Sequence, residues 1–356
     1  MHILFLADAS SVHSYRWIKY FSAIKGVKVT WFSLTKATMP ALENVDFNLI
    51  DKKNPITLYR GLRAISKKTP DIIHVHYLGW NGFLSLFFPK TFVVLTAWGS
   101  DIVFNSQILL KKLILKKVIQ QSNLITCDAW HLKDELVKLG APKEKVELVM
   151  FGIDDHSFIA NRKPFKIGES SKKFTVGSIR NLHPVYDLIT LLKAAKIVLS
   201  RRDDVMFNVA GSGPDLLQLE TFVAENNLHK GVKFLGRLES SELCGFYNSL
   251  DIYVSTSLSD GGIASSTAEA MLCERPVVIT DAAENSDWVT DKESGRLFDC
   301  HDYVTLADII LDLLDNQELG IGLGLKAKET IIDRNTYSNE MKKMLKIYQR
   351  ITGLVD

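Results

Sequence analysis

A loop rich in glycine and serine precedes a helical segment between Ser259 and Met271 of this 356-residue chain. Backbone N–H groups at a helix start bind phosphate well, because the helix N-terminus carries partial positive charge. Glu269 lies about one turn inside the helix, where its two carboxylate oxygens suit a vicinal diol such as a ribose. A tight turn and a surface acid are the alternatives, and we favour the ligand-binding interpretation.

Three further loops of the second half follow predicted strands. Arg180 comes directly after one of them, and its planar, forked guanidinium suits a diphosphate, although a surface salt bridge is the alternative. Gly211 and Gly213 form a Gly-Ser-Gly turn after the next strand, a pattern that is weak evidence when it stands alone. The segment 236–238 follows the strand after that.

The first half offers two polar loops. Ser10 and Ser11 follow the first strand, where they can present N–H groups to an anion or simply cap a helix. No G-x-G-x-x-G pattern occurs there, which argues against a dehydrogenase. His13 and Arg16 follow on the first helical turn, within reach of a ligand. The second loop runs from Trp98 to Asp101, where Ser100 and Asp101 can cap a helix or bind hydroxyl groups.

The sequence predicts no metal site. His74 and His76 point to the same side of a strand, but no third ligand is near them in sequence, so we interpret them as partly buried polar residues. The four cysteines lack the spacing of a zinc site or a disulfide framework.

Short apolar runs alternate with segments of helical period, which predicts βαβ units and parallel sheets. A polar stretch from 152 to 173 separates two such series. Ligands of doubly wound sheets bind beyond the carboxyl ends of the strands, so two facing sheets would form a binding cleft. The predicted strands are His2–Leu6, Val27–Phe32, Ile72–Val75, Phe92–Thr96, Leu124–Cys127, Val146–Met150, Phe174–Gly177, Met206–Ala210, Val232–Leu235, Ile252–Ser255, Val277–Thr280 and Arg296–Phe298.

The net charge of +2 conceals an uneven distribution. Residues 1–163 hold 22 Lys and Arg against 13 Asp and Glu, and the remainder holds 21 against 28. Two interpretations explain this division equally well. Either the two domains have oppositely charged faces that attract each other, or the basic half meets lipid headgroups or a lipid-linked phosphate. The start of the chain lacks a signal-peptide pattern, and no apolar run is long enough to span a bilayer. We expect a cytoplasmic protein, with peripheral association at the inner face of the membrane as an option.

Over nearly its whole length the chain resembles glycosyltransferase family four, of the GT-B group. The motifs that carry this resemblance are DIIHVHYLG (71–79), LTAWGSD (95–101), VELVMFGID (146–154), VGSIRNLHPVYDL (176–188), VAGSGP (209–214), VKFLGRL (232–238) and STSLSDGGIASSTAEAMLCERPVVITD (255–281). The resemblance implies two Rossmann-like doubly wound domains facing a central cleft. It also implies retaining transfer from a nucleoside-diphosphate sugar without a metal or other cofactor, in agreement with the absence of any D-x-D motif.

The resemblance also implies a domain plan. An acceptor-binding domain would span 1–165, a donor-binding domain 166–334, and a helical segment 335–356 would pack back on the first domain. The implied acceptor is a saccharide, linked to a lipid such as a polyprenyl diphosphate, as in bacterial surface polysaccharide or lipopolysaccharide synthesis. Nucleic acid is not an expected partner.

By the same resemblance, Glu269 is the second acid of an E-x7-E signature and holds the donor ribose, Arg180 binds the diphosphate, and 236–238 contacts the base. The first acid of that signature falls on Gly261, so we assign its role to the adjacent Asp260. A lysine of the family falls near Tyr186, and a frequent histidine falls on Trp98.

The predicted donor-binding residues are Arg180, Gly211, Gly213, Gly236, Arg237, Leu238, Gly261, Gly262, Ile263, Ala264, Ser265 and Glu269. The predicted catalytic residues are Asp260, Asp101 and His13, and the predicted acceptor-binding residues are Ser10, Ser11, Arg16, Trp98 and Ser100. Two other functions fit the same fold: a nucleotide-sugar 2-epimerase and a non-catalytic sugar-binding protein.

Overall fold

A computed structural model of the chain describes residues 1–51, 53–99, 101–102, 108–161, 174–260 and 262–353. The chain divides into two compact units. The first comprises Met1–Gly152 and Asn339–Asp356, and the second comprises Ile153–Ser338. The predicted boundary between residues 165 and 166 lies outside the described residues, as do Ser100 and Gly261.

The first unit is built on a seven-stranded parallel sheet with the order β3-β2-β1-β4-β5-β6-β7. Its strands are β1 (His2–Leu6), β2 (Lys28–Ser33), β3 (Val45–Leu49), β4 (Ile72–His76), β5 (Phe92–Ala97), β6 (Leu124–Cys127) and β7 (Val146–Leu148). Its helices are α1 (Val12–Ser22), α2 (Pro55–Lys67), α3 (Trp80–Ser85), α4 (Leu109–Gln121) and α5 (Trp130–Lys138).

The second unit is built on a six-stranded parallel sheet with the order β10-β9-β8-β11-β12-β13. Its strands are β8 (Phe174–Ile179), β9 (Val205–Ala210), β10 (Val232–Gly236), β11 (Ile252–Ser255), β12 (Val277–Thr280) and β13 (Arg296–Phe298). Its helices are α6 (Leu188–Arg201), α7 (Leu216–Glu225), α8 (Ser240–Asn248), α9 (Ser265–Leu272), α10 (Asn285–Trp288), α11 (Tyr303–Asp315) and α12 (Gln317–Arg334).

Both sheets have the strand order of a doubly wound α/β fold, which confirms the predicted fold class. The central strands read as near-continuous apolar runs because helices cover them on both faces. In β1, for example, Ile3, Leu4, Phe5 and Leu6 are all buried. Each unit has its own apolar core.

The last helix, α13 (Tyr337–Thr352), begins two residues later than the predicted start at Asn335. The backbone at Asn335 and Tyr337 bonds instead to Ile153, with N···O distances of 2.9 and 2.8 Å. Farther along, the Glu340 carboxylate accepts from the amide of Met150 at 2.6 Å, within the first unit. Tyr348 lies fully buried against Phe21, with ring centroids 5.0 Å apart.

None of the helices in the described ranges is long and apolar enough to cross a membrane.

Candidate functional site

In both sheets the strand order reverses beside the first strand of the unit: between β1 and β4 in the first, and between β8 and β11 in the second. Ligands of such sheets bind in the crevice outside the carboxyl ends of the strands at this reversal. In the second unit, the loop after β8 contains Arg180 and the loop after β11 contains Asp260, so both stand at the expected place.

Arg180 is held by three neighbours. Its Nη2 forms an ion pair with the Asp260 carboxylate, and its Nη1 donates to the Ser266 hydroxyl at 3.3 Å. The guanidinium carbon lies 4.3 Å from the centre of the Tyr186 ring. Only 10% of the Arg180 side chain and 6% of the Asp260 side chain are exposed. A pre-oriented guanidinium of this kind loses little side-chain entropy when it binds an anion.

Glu269 lies in the fifth position of α9, and its carboxylate accepts from the hydroxyl of Tyr247 on α8 at 2.7 Å. Tyr247 is completely buried, whereas Glu269 is half-buried. Burial and the nearby Glu269 carboxylate raise the pKa of Tyr247 well above its usual range, so the phenol remains a donor. This hydrogen bond orients Glu269 and leaves it acceptor capacity for a ligand.

The Gly-Ser-Gly turn lies against the backbone of the Arg180 loop. Gly211 has φ +135°, and a Cβ atom there would lie 1.9 Å from the carbonyl oxygen of Arg180. A Cβ at Gly213 would lie 2.2 Å from the carbonyl oxygen of Leu182. Backbone hydrogen bonds join the same segments, including Arg180 N to Ala210 O at 3.2 Å. Both glycines therefore allow the close approach that positions Arg180.

The other predicted donor-binding residues lie at the same edge of the second sheet. Gly236 ends β10 with φ +69°, and its carbonyl accepts from the amide of Gly211 at 2.7 Å. Arg237 is exposed and Leu238 is half-buried. Gly262 also has a positive φ, of 69°, and it begins the segment Gly262–Ala264 that leads to Ser265, the first residue of α9.

In the first unit, His13, Trp98 and Phe151 form an aromatic cluster. The Trp98 and Phe151 rings are stacked, with centroids 4.6 Å apart, and the His13 ring lies 4.2 Å from that of Phe151. Partial desolvation and the charge of Arg16 lower the pKa of His13, which favours the neutral imidazole. A neutral imidazole can accept a proton from a hydroxyl group.

Asp101 is buried, and its carboxylate accepts from the backbone amides of Leu78 at 2.8 Å and Trp98 at 3.1 Å. Desolvation raises its pKa. These contacts give Asp101 a positioning role, since it fixes the loops after β4 and β5.

The other predicted residues of the first unit also make structural contacts. The Ser11 hydroxyl caps α1 by accepting from the amide of Ser14 at 3.3 Å. Arg16 Nη2 donates to the carbonyl of Gly152 at 3.2 Å, while Ser10 is exposed.

The two strand histidines are buried. His74 bonds through Nδ1 to the Tyr348 hydroxyl and through Nε2 to the Thr96 hydroxyl at 2.6 Å. His76 Nδ1 lies 3.0 Å from the Ser14 hydroxyl, and desolvation lowers the His76 pKa to about 3. No cluster of three or more metal-ligating residues occurs in the part of the chain that the structure describes.

Sequence reasoning did not assign Tyr247 or Ser266 to the second-unit site, and it named Tyr186 only as the position near a family lysine, without its contact to Arg180. Ser266 also accepts from the Tyr253 hydroxyl at 2.9 Å, which joins it to Arg180 in one network. The Gly/Ser-rich loop pointed to the neighbourhood of Ser266, but its helical position beside Arg180 depends on tertiary packing. Tyr247 is 22 residues from the Glu269 that it contacts, and the stacking of Tyr186 on Arg180 depends on the path of the loop between them.

Two family models match the chain. "Glycosyl transferase 4-like" matches residues 2–129, and "Glycosyl transferases group 1" matches residues 160–330. Together they cover most of both units.

Two curated relatives illustrate the similarity. The chain is 29% identical over 188 residues to a poly(ribitol-phosphate) alpha-N-acetylglucosaminyltransferase of Staphylococcus aureus (strain COL), a match of 51% of this chain but only 38% of that protein. It is 25% identical over 276 residues to an N-acetyl-alpha-D-glucosaminyl L-malate synthase of Bacillus anthracis, covering 74% of this chain and 70% of that one.

Among solved structures, Alr3699/HepE from Anabaena in complex with UDP superposes with a TM-score of 0.80. The sequence identity is 15%, and the match covers 98% of this chain and 100% of that one. At this identity the likeness shows the fold.

Proposed function

Because the chain belongs to the glycosyl transferases of the GT-B fold, we propose that it moves a sugar from a nucleoside-diphosphate sugar to a saccharide acceptor, with retention of anomeric configuration. The observation that carries this proposal is the pairing of Arg180 with Asp260 at the carboxyl edge of the second sheet, next to the helix that carries Glu269. A cation, a helix N-terminus and a diol-binding carboxylate then lie together.

Each group of the donor has a proposed partner in the second unit. Arg180 and the N-terminus of α9 neutralise the diphosphate, and Glu269 accepts from the ribose hydroxyls. The segment 236–238 contacts the base. UDP is a candidate nucleotide, since the solved structure of Alr3699/HepE contains it.

In the transfer step, the bond between the anomeric carbon and the diphosphate oxygen breaks, and the acceptor oxygen bonds to the anomeric carbon on the same face of the sugar, which retains the configuration. Negative charge develops on the leaving oxygen. Arg180 stabilises that charge, and it is oriented for this before the donor binds. Asp260 has two proposed roles: its carboxylate holds the guanidinium, and it faces the positive charge that develops at the anomeric carbon. No metal has a role in this proposal.

We assign acceptor binding to the carboxyl edge of the first sheet, with His13 as the proton acceptor for the attacking hydroxyl. The lowered pKa and the neighbouring Trp98 ring support this assignment, since sugars pack well on aromatic faces. The acceptor is a lipid-linked saccharide of surface-polysaccharide synthesis, reached at the inner face of the membrane. The excess of Lys and Arg in residues 1–163 supports contact with an anionic surface.

The proposed contact with an anionic membrane is tested separately. Co-sedimentation with liposomes should rise with anionic lipid content and fall with added salt, because a charge-driven contact is screened. Liposome binding that changes with neither the anionic lipid content nor the salt concentration would refute the electrostatic contact.

Incubation with a panel of nucleotide sugars tests the activity. We expect slow release of nucleoside diphosphate from one donor, accelerated by the right saccharide acceptor. Conversion of the sugar within the nucleotide, unaffected by acceptors, would indicate an epimerase. Binding without turnover under any acceptor would indicate a sugar-binding protein.

A further inference from the structure

An apolar cavity of about 230 Å³ opens on the first unit, directly after the carboxyl end of β4. Leu78 lines it from the loop after β4. Trp80 and Phe83 line it from α3, and Lys111, Ile114 and Leu115 line it from α4. The position of Leu78 is fixed, because its amide donates to the buried Asp101 carboxylate at 2.8 Å.

The residues that line the cavity favour a hydrocarbon ligand. Among the described residues that line it, Lys111 is the one charged side chain, and the rest are aliphatic or aromatic except for Gly79. A sugar would bury hydroxyl groups here without enough partners, which is unfavourable. The cavity is smaller than the roughly 300–1,000 Å³ of a site that encloses a drug-sized ligand, so it suits the first part of a chain.

The surroundings of the cavity are both apolar and basic. Leu109 is 74% exposed, Leu110 is 68% exposed and Trp80 is 54% exposed. The α4 sequence LLKKLILKKVIQQ carries four lysines and no acid. None of these lysines forms an ion pair with another described residue. This charge complements a phosphate group attached to the chain that enters the cavity.

We propose that this cavity binds the proximal hydrocarbon chain of the phosphate-linked lipid that carries the acceptor, and that Lys111 binds the phosphate. The cavity adjoins the loop after β4, one of the two strands between which the first sheet reverses its order. The inference rests on the proposed function for the identity of the acceptor, but the binding of an alkyl phosphate can be measured without turnover.

The test is calorimetric titration of the full chain with soluble n-alkyl phosphates, from butyl to dodecyl phosphate. Each methylene that enters the cavity should improve the affinity about fourfold, until the cavity is full and the affinity levels off. Inorganic phosphate should bind weakly. An affinity that does not depend on chain length would overturn the proposal.

Two pairs of variants on α4 distinguish binding inside the cavity from nonspecific hydrophobic or electrostatic binding. Ile114→Trp fills the cavity and should abolish the dependence on chain length, whereas Leu113→Trp adds the same ring outside it and should not. Lys111→Gln should weaken binding of all alkyl phosphates, and Lys117→Gln should have a smaller effect. Folding of each variant is checked by its donor-induced thermal shift.

If Ile114→Trp binds dodecyl phosphate like the unaltered chain, the cavity is not the site. Binding that requires phosphatidylglycerol vesicles and does not occur with monomeric alkyl phosphates would also overturn it, in favour of a membrane surface contact. Normal alkyl phosphate binding in a chain that releases no nucleoside diphosphate would refute the proposed function and leave the lipid site standing.

Discussion

The hydrogen bond between Tyr247 and Glu269 predicts that stability and ligand affinity respond differently to substitutions at these two positions. Glu269→Ala removes the acceptor that lies 2.7 Å from the Tyr247 hydroxyl. Tyr247 is fully buried, so water does not replace that acceptor without rearrangement. A buried donor left unsatisfied costs about 1–3 kcal/mol, so the variant should be less stable but still folded.

The same substitution should weaken the donor complex. A hydrogen bond to a charged group contributes about 1.5–3 kcal/mol, which corresponds to roughly a 10–150-fold rise in the dissociation constant. The double variant Tyr247→Phe/Glu269→Ala leaves no unsatisfied hydroxyl. It should therefore recover part of the lost stability but none of the lost affinity.

Urea unfolding and calorimetric titration with the nucleoside diphosphate measure the two quantities on the unaltered protein and both variants. If Glu269→Ala and the double variant have equal stability, the hydrogen bond does not contribute as described. If folded Glu269→Ala binds the nucleotide as tightly as the unaltered protein, the assignment of Glu269 to the ribose is wrong.

Three further predictions concern the same site. Asp260→Asn should lower turnover far more than it lowers affinity for the bare nucleoside diphosphate, because the lost charge faces the reacting sugar. Turnover is measured by steady-state kinetics, and a value within about twofold of the unaltered protein would remove Asp260 from the mechanism. Gly211→Ala should weaken donor binding in titration, since its Cβ would meet the Arg180 carbonyl oxygen at 1.9 Å, and unchanged affinity would contradict that role. Turnover should survive EDTA, and a loss that Mg²⁺ restores would show that Arg180 does not suffice for the diphosphate.

Much of the fold could be predicted because the central strands of parallel sheets are apolar and uninterrupted. The predicted strand His2–Leu6 has the observed bounds, and the helix expected after the Gly/Ser-rich loop is observed as Ser265–Leu272. The edge strand Val45–Leu49 was not predicted, since its alternating pattern VDFNL is only five residues long and most of those residues are exposed.

Side-chain contacts of the site were harder to predict than the loops that carry them. The loop after β8 and the Gly/Ser-rich segment stand out in the sequence because each follows an apolar strand and carries residue types that suit a phosphate ligand. The pairing of Arg180 with Asp260 joins residues 80 positions apart, and that of Tyr247 with Glu269 joins residues 22 apart. The first pair depends on the pairing of β8 with β11, and the second depends on the packing of α8 against α9. Local sequence determines neither.

The fate of the anomeric carbon tests the central claim most directly. A nucleoside-diphosphate sugar labelled with ¹³C at that carbon is incubated with the protein and a saccharide acceptor, and the reaction is followed by NMR. The account predicts that the label leaves the nucleotide and appears in a glycosidic bond to the acceptor, with the anomeric configuration of the donor. A label that stays on the nucleotide, whether as the original sugar or as its epimer, would contradict it.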